Sequence, residues 1–260
     1  MALDKNNPIP LYYQLVERLK EQIQLGDLKP GDQLPSEREL SDQHGISRMT
    51  VRQAIAYLVQ QGLLEVKRGI GTFVAAPKLA HDTLHLLGFT EEVIQRGGAV
   101  TSQVLEQSLV VPSASVAGGL KLDTDAATVK LVRLRLAEAV PLLLETTFLP
   151  AALCAGLETE DLTTQSLYSL LETKYGLHLK YARQTLEATI ANEYESRLFG
   201  IEVGTAMILL EGVTYLETDQ PVEYFKAVYR GDRFRFELNS QRSIQVVEMP
   251  DVTGIKVVLG

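Results

Sequence analysis

Residues 35–74 read PSERELSDQHGISRMTVRQAIAYLVQQGLLEVKRGIGTFV. The spacing predicts two short helices, a tight turn and a small hairpin. Ser36 and Glu39 have the spacing of a capping box, Leu40 offers the first helix its buried contact, and Gly45 turns the chain. Ser47 is placed to cap the second helix and Gly62 to end it. At helical period Val51, Ala54, Ile55 and Leu58 share one side. Met49, Arg52, Gln53 and Ala56 share the other, with Arg48 in the first turn. A helix that packs on its neighbour and turns arginines outward suits the major groove of DNA.

The hairpin after the second helix fits the same use. Leu63–Val66 and Thr72–Val74 are strand-like, joined by Lys67-Arg68-Gly69-Ile70-Gly71. A phosphate-cradling glycine loop leads from a strand into a helix. This one leads into another strand, so it reads as a wing whose basic tip meets the DNA backbone or minor groove.

The chain has 260 residues, 45% hydrophobic and 22% charged, which suits two modest domains. No uncharged apolar run approaches the ~18 residues of a membrane span. The opening Met1-Ala-Leu-Asp-Lys5 lacks an apolar signal core, so a cytoplasmic protein with no membrane partner is expected. Cys154 is the single cysteine and reads as a small buried residue. Net charge is −8, yet residues 1–76 are balanced, with nine basic against nine acidic side chains. Within 45–72, Arg48, Arg52, Lys67 and Arg68 face only Glu65. The acidic excess therefore lies wholly behind a locally basic reading face.

Ahead of the motif, Leu11, Leu15, Leu19 and Ile23 predict a helix starting at Pro10 and ending by Gly26. Residues 8–76 form the expected winged helix-turn-helix domain, and 77–88 a linker with little to bury. His81 and His85 within it read as part of a solvated helix, since no third metal ligand stands nearby. Residues 89–240 form a second, α+β domain around an antiparallel sheet, and 241–260 an apolar tail that can add an edge strand. Strands are expected at Val104–Val111, Ala127–Glu138, Pro141–Leu149, Leu179–Ile190, Ala206–Glu217 and Pro221–Tyr229. Short helices are expected near Phe89–Arg96, Ala114–Leu120, Leu167–Tyr175 and Tyr194–Phe199.

Inside the second of those strands stand Arg133 and Arg135, on one face about 6–7 Å apart. Val129 and Leu131 share that face, so it is covered, and two covered guanidiniums need anions. Internal pairing with an acid such as Glu145 is one solution; a phosphorylated or carboxylated ligand is the other. Ser166, at the start of the helix holding Leu167 and Tyr168, favours the ligand, because a capped helix start attracts anions. Thr90, following Phe89, offers a second such start. Glu145, Glu223 and Tyr229 can wall a pocket and bond sugar hydroxyls or an amine. Glu223 and Tyr229 share strand parity but lie about 20 Å apart. No Ser/His/Asp or Cys/His set is visible, and no acid–base dyad supports an enzyme in the second domain.

The stretch from Pro10 to Val74 resembles the winged helix-turn-helix domain of the GntR family of bacterial transcription regulators. The remainder resembles the HutC-type effector domain, UTRA, in its LGFTEEV start at 87–93, RLR at 133–135, Pro141 with Glu145, SLY at 166–168 and PVEYFKAVYRGDRF at 221–234. Together the likenesses span residues 8–238. They imply a chorismate-lyase-like second domain, homodimerisation through it, no cofactor, and repression of transcription through double-stranded operator DNA. Arg38, Ser47, Arg48, Met49, Thr50, Arg52, Lys67, Arg68 and Gly69 are the implied DNA contacts. Met49 stands where many relatives carry a small polar residue. The branch of N-acetylglucosamine-utilisation repressors is the best resemblance, implying glucosamine-6-phosphate or N-acetylglucosamine-6-phosphate as effector. There Phe89, Thr90, Arg133, Arg135, Ser166 and Tyr168 would form the phosphate end, and Glu145, Glu223 and Tyr229 the sugar end. Another phosphosugar, such as trehalose-6-phosphate, or a carboxylate metabolite is the alternative.

Overall fold

The computed structural model describes residues 3–67, 69–82, 86–95, 97–123, 125–137 and 139–237. Helix α1 (Leu11–Leu25) follows Pro10, whose fixed φ suits a helix entrance, and ends at Gly26 in the left-handed conformation. Helices α2 (Glu37–His44) and α3 (Arg48–Gln60) come next, then the hairpin β1 (Leu64–Lys67) and β2 (Gly71–Val74). Leu15, Val16 and Leu19 of α1, Leu40 of α2, and Val51, Ala54, Ile55 and Leu58 of α3 bury one core with Leu64 and Val74. The capping box at Ser36 is complete: Ser36 Oγ accepts from Glu39 N, and Glu39 returns to the Ser36 backbone. Gly45 turns the chain at φ 62. This unit is the winged helix-turn-helix expected from its pattern.

The second unit contains β3 (Leu79–Asp82), α4 (Phe89–Gln95), β4 (Val100–Val110), α5 (Ala114–Leu120), β5 (Thr128–Ala137) and β6 (Val140–Pro150). It continues with α6 (Leu167–Thr173), β7 (Leu179–Ile190), α7 (Glu193–Phe199), β8 (Ala206–Leu216), β9 (Pro221–Arg230) and β10 (Phe234–Glu237). Six strands make one antiparallel sheet in the order β4-β5-β6-β9-β8-β7. Period-2 patterning divides the sheet's residues between two apolar layers. On one face, α6 packs with Val129, Leu131 and Leu149, and α4 with Leu143, Ala227 and Tyr229. On the other, Phe199 of α7 packs with Val132, Leu134, Leu144 and Val228. No helix of the described residues is long and apolar enough to cross a membrane.

One expectation is corrected between the units. Residues 77–88 are not a bare linker, and His81 does not lie in a helix. Residues 79–82 form β3, which pairs in parallel with β10. The reason is burial: Leu79 and Phe236 join the apolar cluster around Phe89, Tyr229 and Phe234. His85 and the tail 241–260 fall outside the described residues. The winged unit also rests on the turn between β9 and β10. Lys78 Nζ donates to Gly231 O at 2.7 Å, and Arg233 Nη2 lies 3.4 Å from Glu65 of β1. Gly62 sits at φ 71, and a Cβ there would stand 2.0 Å from the Asp232 carbonyl oxygen. Both the backbone conformation and the close approach exclude a side chain. Gly62→Ala is expected to cost about 1–3 kcal/mol, read as a lowered melting temperature; unchanged melting would show that this contact does not form.

Candidate functional site

The outward face of the winged unit is built by α3. Ser47 Oγ accepts from Thr50 N at 3.1 Å and exchanges a hydrogen bond with Thr50 Oγ1 at 2.8 Å, which fixes the first turn. That turn projects Arg48 and Met49, the latter 68% exposed. Arg52 is also exposed, but its fork is engaged: Nε donates to Glu37 Oε1 at 3.1 Å and Nη2 to Oε2 at 2.8 Å. That bond holds the Glu37 carboxyl below its ordinary pKa. The Arg52 guanidinium is thereby fixed against α2, not left loose. Arg38 lies exposed on α2, 3.8 Å from Asp42. At the wing, Lys67 pairs with Glu65 at 3.1 Å and stands over the Phe73 ring, and Gly69 adopts φ 75 at the tip. Arg68 lies outside the described residues. The expected DNA contacts that are described thus sit on α2, α3 and the wing.

The second cluster lies on the sheet face under α4 and α6. Cross-strand register places Arg133 opposite Glu145, and Arg135 opposite Leu143, which in turn faces Tyr229. Arg133 and Arg135 are each 2% exposed. Arg133 Nη2 donates to Glu145 Oε2 at 2.6 Å, and Arg135 Nη1 lies 3.6 Å from the same oxygen. The internal pairing weighed from sequence is therefore real, but one carboxylate serves two guanidiniums. Burial pulls the Glu145 pKa up, and Arg133 and Arg135 more than offset it, so the group sits below its ordinary value. Arg135 is pushed down to about 10, by burial and then by Arg133. Its Nη2 donates to Thr90 Oγ1, and its guanidinium stacks over Phe89 at 5.3 Å. Among the described residues, buried Arg133 Nε and Nη1, Arg135 Nε and the Thr147 hydroxyl have no hydrogen-bond partner. Such orphans are rare and costly in a folded chain.

Ser166 caps α6, accepting from Ser169 N at 3.2 Å, and donates to Glu91 Oε1 at 2.9 Å. Glu91 Oε2 also accepts from Gly88 N. The helix start expected to attract an anion thus holds the chain's own carboxylate. Tyr168 OH donates to Glu223 Oε2 at 2.8 Å, and Thr214 Oγ1 donates to the same atom at 2.7 Å. Glu223 is 1% exposed, and burial pushes its carboxyl up to about 7 against the help of Thr214 and Tyr168. Burial also raises the phenols of Tyr168 and Tyr229. The nine residues expected at the effector site share one sheet face and its two covering helices. Glu223 and Tyr229 occupy opposite ends of it, as their separation along β9 requires. Sequence reasoning missed Glu91, Thr147 and Thr214. Glu91 follows Thr90 directly, and Thr147 shares parity with Glu145, so both carried a signal; the pairing of Thr214 with Glu223 needed the register. An open groove of about 370 Å³ lined by Leu120, Leu153 and Pro221 lies apart from these residues and holds none of their chemistry.

Comparison with known proteins finds a family match for each of the two units. The family described as bacterial regulatory proteins, gntR family, matches residues 11–74, and the UTRA domain matches 95–235. The HTH-type transcriptional repressor NagR of Bacillus subtilis is 39% identical over 236 residues, 91% of this chain and 97% of that protein. The mannosyl-D-glycerate transport/metabolism system repressor MngR of Escherichia coli is 31% identical, covering 90% of this chain and 97% of that one. Among solved structures, PhnF from Mycobacterium smegmatis superposes with a TM-score of 0.61 at 30% identity, covering 88% of this chain and 99% of its own.

The raised Glu223 pKa makes stability depend on pH. Between its ordinary value of 4.5 and about 7 the folded protein keeps a proton that the unfolded chain has lost. The stability contributed by Glu223 falls as pH rises through that window. Glu223→Gln is expected to flatten this slope, raising stability at pH ~8 by an amount on the order of 1–3 kcal/mol relative to pH ~5. Denaturant titration of both proteins across pH reads it; parallel pH profiles would contradict the assignment.

Proposed function

We propose a function from one premise: this chain belongs to the gntR family of bacterial regulatory proteins, with a UTRA domain behind its DNA-binding one. It is a transcriptional repressor whose hold on operator DNA is weakened by a phosphorylated amino sugar, glucosamine-6-phosphate or N-acetylglucosamine-6-phosphate. Repression is supported by NagR and MngR, both named as repressors. The observation that carries the effector class is the arginine pair: two buried guanidiniums on one carboxylate, with three nitrogen donors lacking a hydrogen-bond partner among the described residues. A phosphate dianion supplies the missing charge and acceptors together. The acids and tyrosine beyond it, Glu145, Glu223 and Tyr229, suit hydroxyls or an amine. Arg133 already holds a carboxylate, so a carboxylate metabolite is the second reading, and another phosphosugar the nearer variant of the first.

Release of DNA follows from where the pair is anchored. Arg135 holds α4 through Thr90 and Phe89. The first residues of α4 come directly after the segment that carries β3, and β3 is zipped to β10 beside the turn that carries the winged unit. An anion that draws Arg135 away from Thr90 frees α4 and, through it, the placement of the winged unit. Linkage then requires operator DNA to weaken effector binding by the same factor. The protein acts as a homodimer, with one α3 per half-site of a palindrome.

Two substitutions separate the halves. Arg48→Ala is expected to weaken binding to an operator selected from a random duplex pool by about tenfold or more, while phosphosugar still raises the melting temperature. Arg133→Ala is expected to keep operator binding and lose both the thermal stabilisation and the release. Fluorescence anisotropy of labelled operator, with and without phosphosugar, together with thermal shift, reads both. Loss of both activities in either variant, with the fold intact by circular dichroism, would overturn the division of labour.

A further inference from the structure

The side chains beneath α4 and α6 fall in successive rows across the sheet face. Cross-strand register puts Arg135, Leu143 and Tyr229 in the first row, and Arg133, Glu145 and Ala227 in the second. Leu131, Thr147 and Phe225 make the third, and Glu223 stands with Thr214 in the fourth. Neighbouring rows are two residues apart along each strand, about 6–7 Å. Ala227, opposite Glu145, is four residues from Glu223 on β9, so the acids of the second and fourth rows are about 13 Å apart along the strands. Thr147 stands midway between them.

Thr147 is 0% exposed, and among the described residues its hydroxyl has no hydrogen-bond partner. Its cross-strand neighbours, Leu131 and Phe225, have no polar side-chain group to offer. Thr214 and Thr90, also buried, are engaged: one donates to Glu223 and the other accepts from Arg135. Strands favour β-branched residues, and valine has nearly the same shape without a hydroxyl to desolvate. Packing therefore accounts for the branched shape at 147 but not for its oxygen. An oxygen kept in that place calls for a hydrogen-bonding group brought from outside the chain.

We propose that Thr147 is a specificity-determining contact for the effector: its hydroxyl bonds a hydroxyl of the sugar ring, between the phosphate at Arg133 and Arg135 and the far end at Glu223. This rests on the sugar-phosphate reading above and adds the middle of the ligand to it. A phosphate seated on the first two rows leaves the ring over the third, where Thr147 is the one polar side chain of β5, β6 and β9. A hydroxyl both donates and accepts, so the contact suits a neutral ring oxygen, not a second charge. A sugar that lacks this hydroxyl leaves Thr147 unpaired again and is rejected for that reason.

Titration calorimetry of the full-length chain with glucosamine-6-phosphate and N-acetylglucosamine-6-phosphate tests it. Thr147→Val is expected to bind both about tenfold more weakly, yet to melt no lower than wild type when ligand-free, because the desolvated hydroxyl is gone. Thr147→Ser keeps the oxygen and is expected to stay within about threefold of wild type. Inorganic phosphate has no ring, and as a competitor it should displace the sugar phosphates from wild type and Thr147→Val alike. If wild type binds the sugar phosphates and Thr147→Val binds them as tightly, the contact is wrong while the effector reading stands. A serine variant as weak as the valine one would reduce Thr147 to packing and overturn the contact as well. Weakened competition by inorganic phosphate would move the hydroxyl to the arginine end, and a lowered ligand-free melting temperature would give it a partner within the chain; either result contradicts the assignment. If wild type binds neither sugar phosphate, the effector reading fails and the contact falls with it.

Discussion

Arg133 and Arg135 lie on one strand, on one face, with one carboxylate between them. Strand geometry forces their proximity, and the covering helices deny them water. Removing a guanidinium from water costs several kcal/mol unless charge and hydrogen bonds replace what the solvent supplied. Glu145 replaces part of it, Thr90 and the Phe89 ring another part, and three remaining donors have no hydrogen-bond partner among the described residues. A fold selected for stability alone would satisfy this position with apolar side chains or a second acid. Glu223 is too compromised by burial to serve, since its own carboxyl is pushed up to about 7. Among the ion pairs of the described residues, one carboxylate therefore serves both guanidiniums.

The same pair holds the helix nearest the first domain. Arg135 bonds Thr90, and Glu91, next along α4, occupies the capped start of α6 through Ser166. Under the proposed function, an incoming anion competes for both partners of α4. Beyond α4 the chain leads back to β3, whose pairing with β10 sets the turn that touches Gly62, Glu65 and Lys78. These contacts place the arginine pair and the winged unit on one connected stretch of packed elements.

Local signals made most of this legible. The helix-turn-helix rests on caps and a period that lie within a few residues of each other, so Ser36, Gly45, Ser47 and the buried side of α3 could all be read from the string. The strands of the second domain announced themselves by alternation, and the shared face of Arg133 and Arg135 came from parity. Pairing over distance could not be read. Strand β3 has too few residues to carry a pattern, and it exists because Leu79 meets a cluster assembled from residues 89–236. The capture of Ser166 by Glu91 spans 75 positions, and that of Glu223 by Thr214 depends on which strands are neighbours. The edge status of β7 is likewise a property of sheet order, which alternation alone does not reveal.

Whether the arginine pair is a phosphate seat is tested most directly by calorimetric titration with an amino sugar and with its 6-phosphate. Two guanidiniums that lack an anion must discriminate between them: the phosphorylated sugar is expected to bind at least ~100-fold more tightly than the free one. Equal affinity for the two sugars, or heat from neither, would mean that Glu145 satisfies the pair and that no phosphate belongs there.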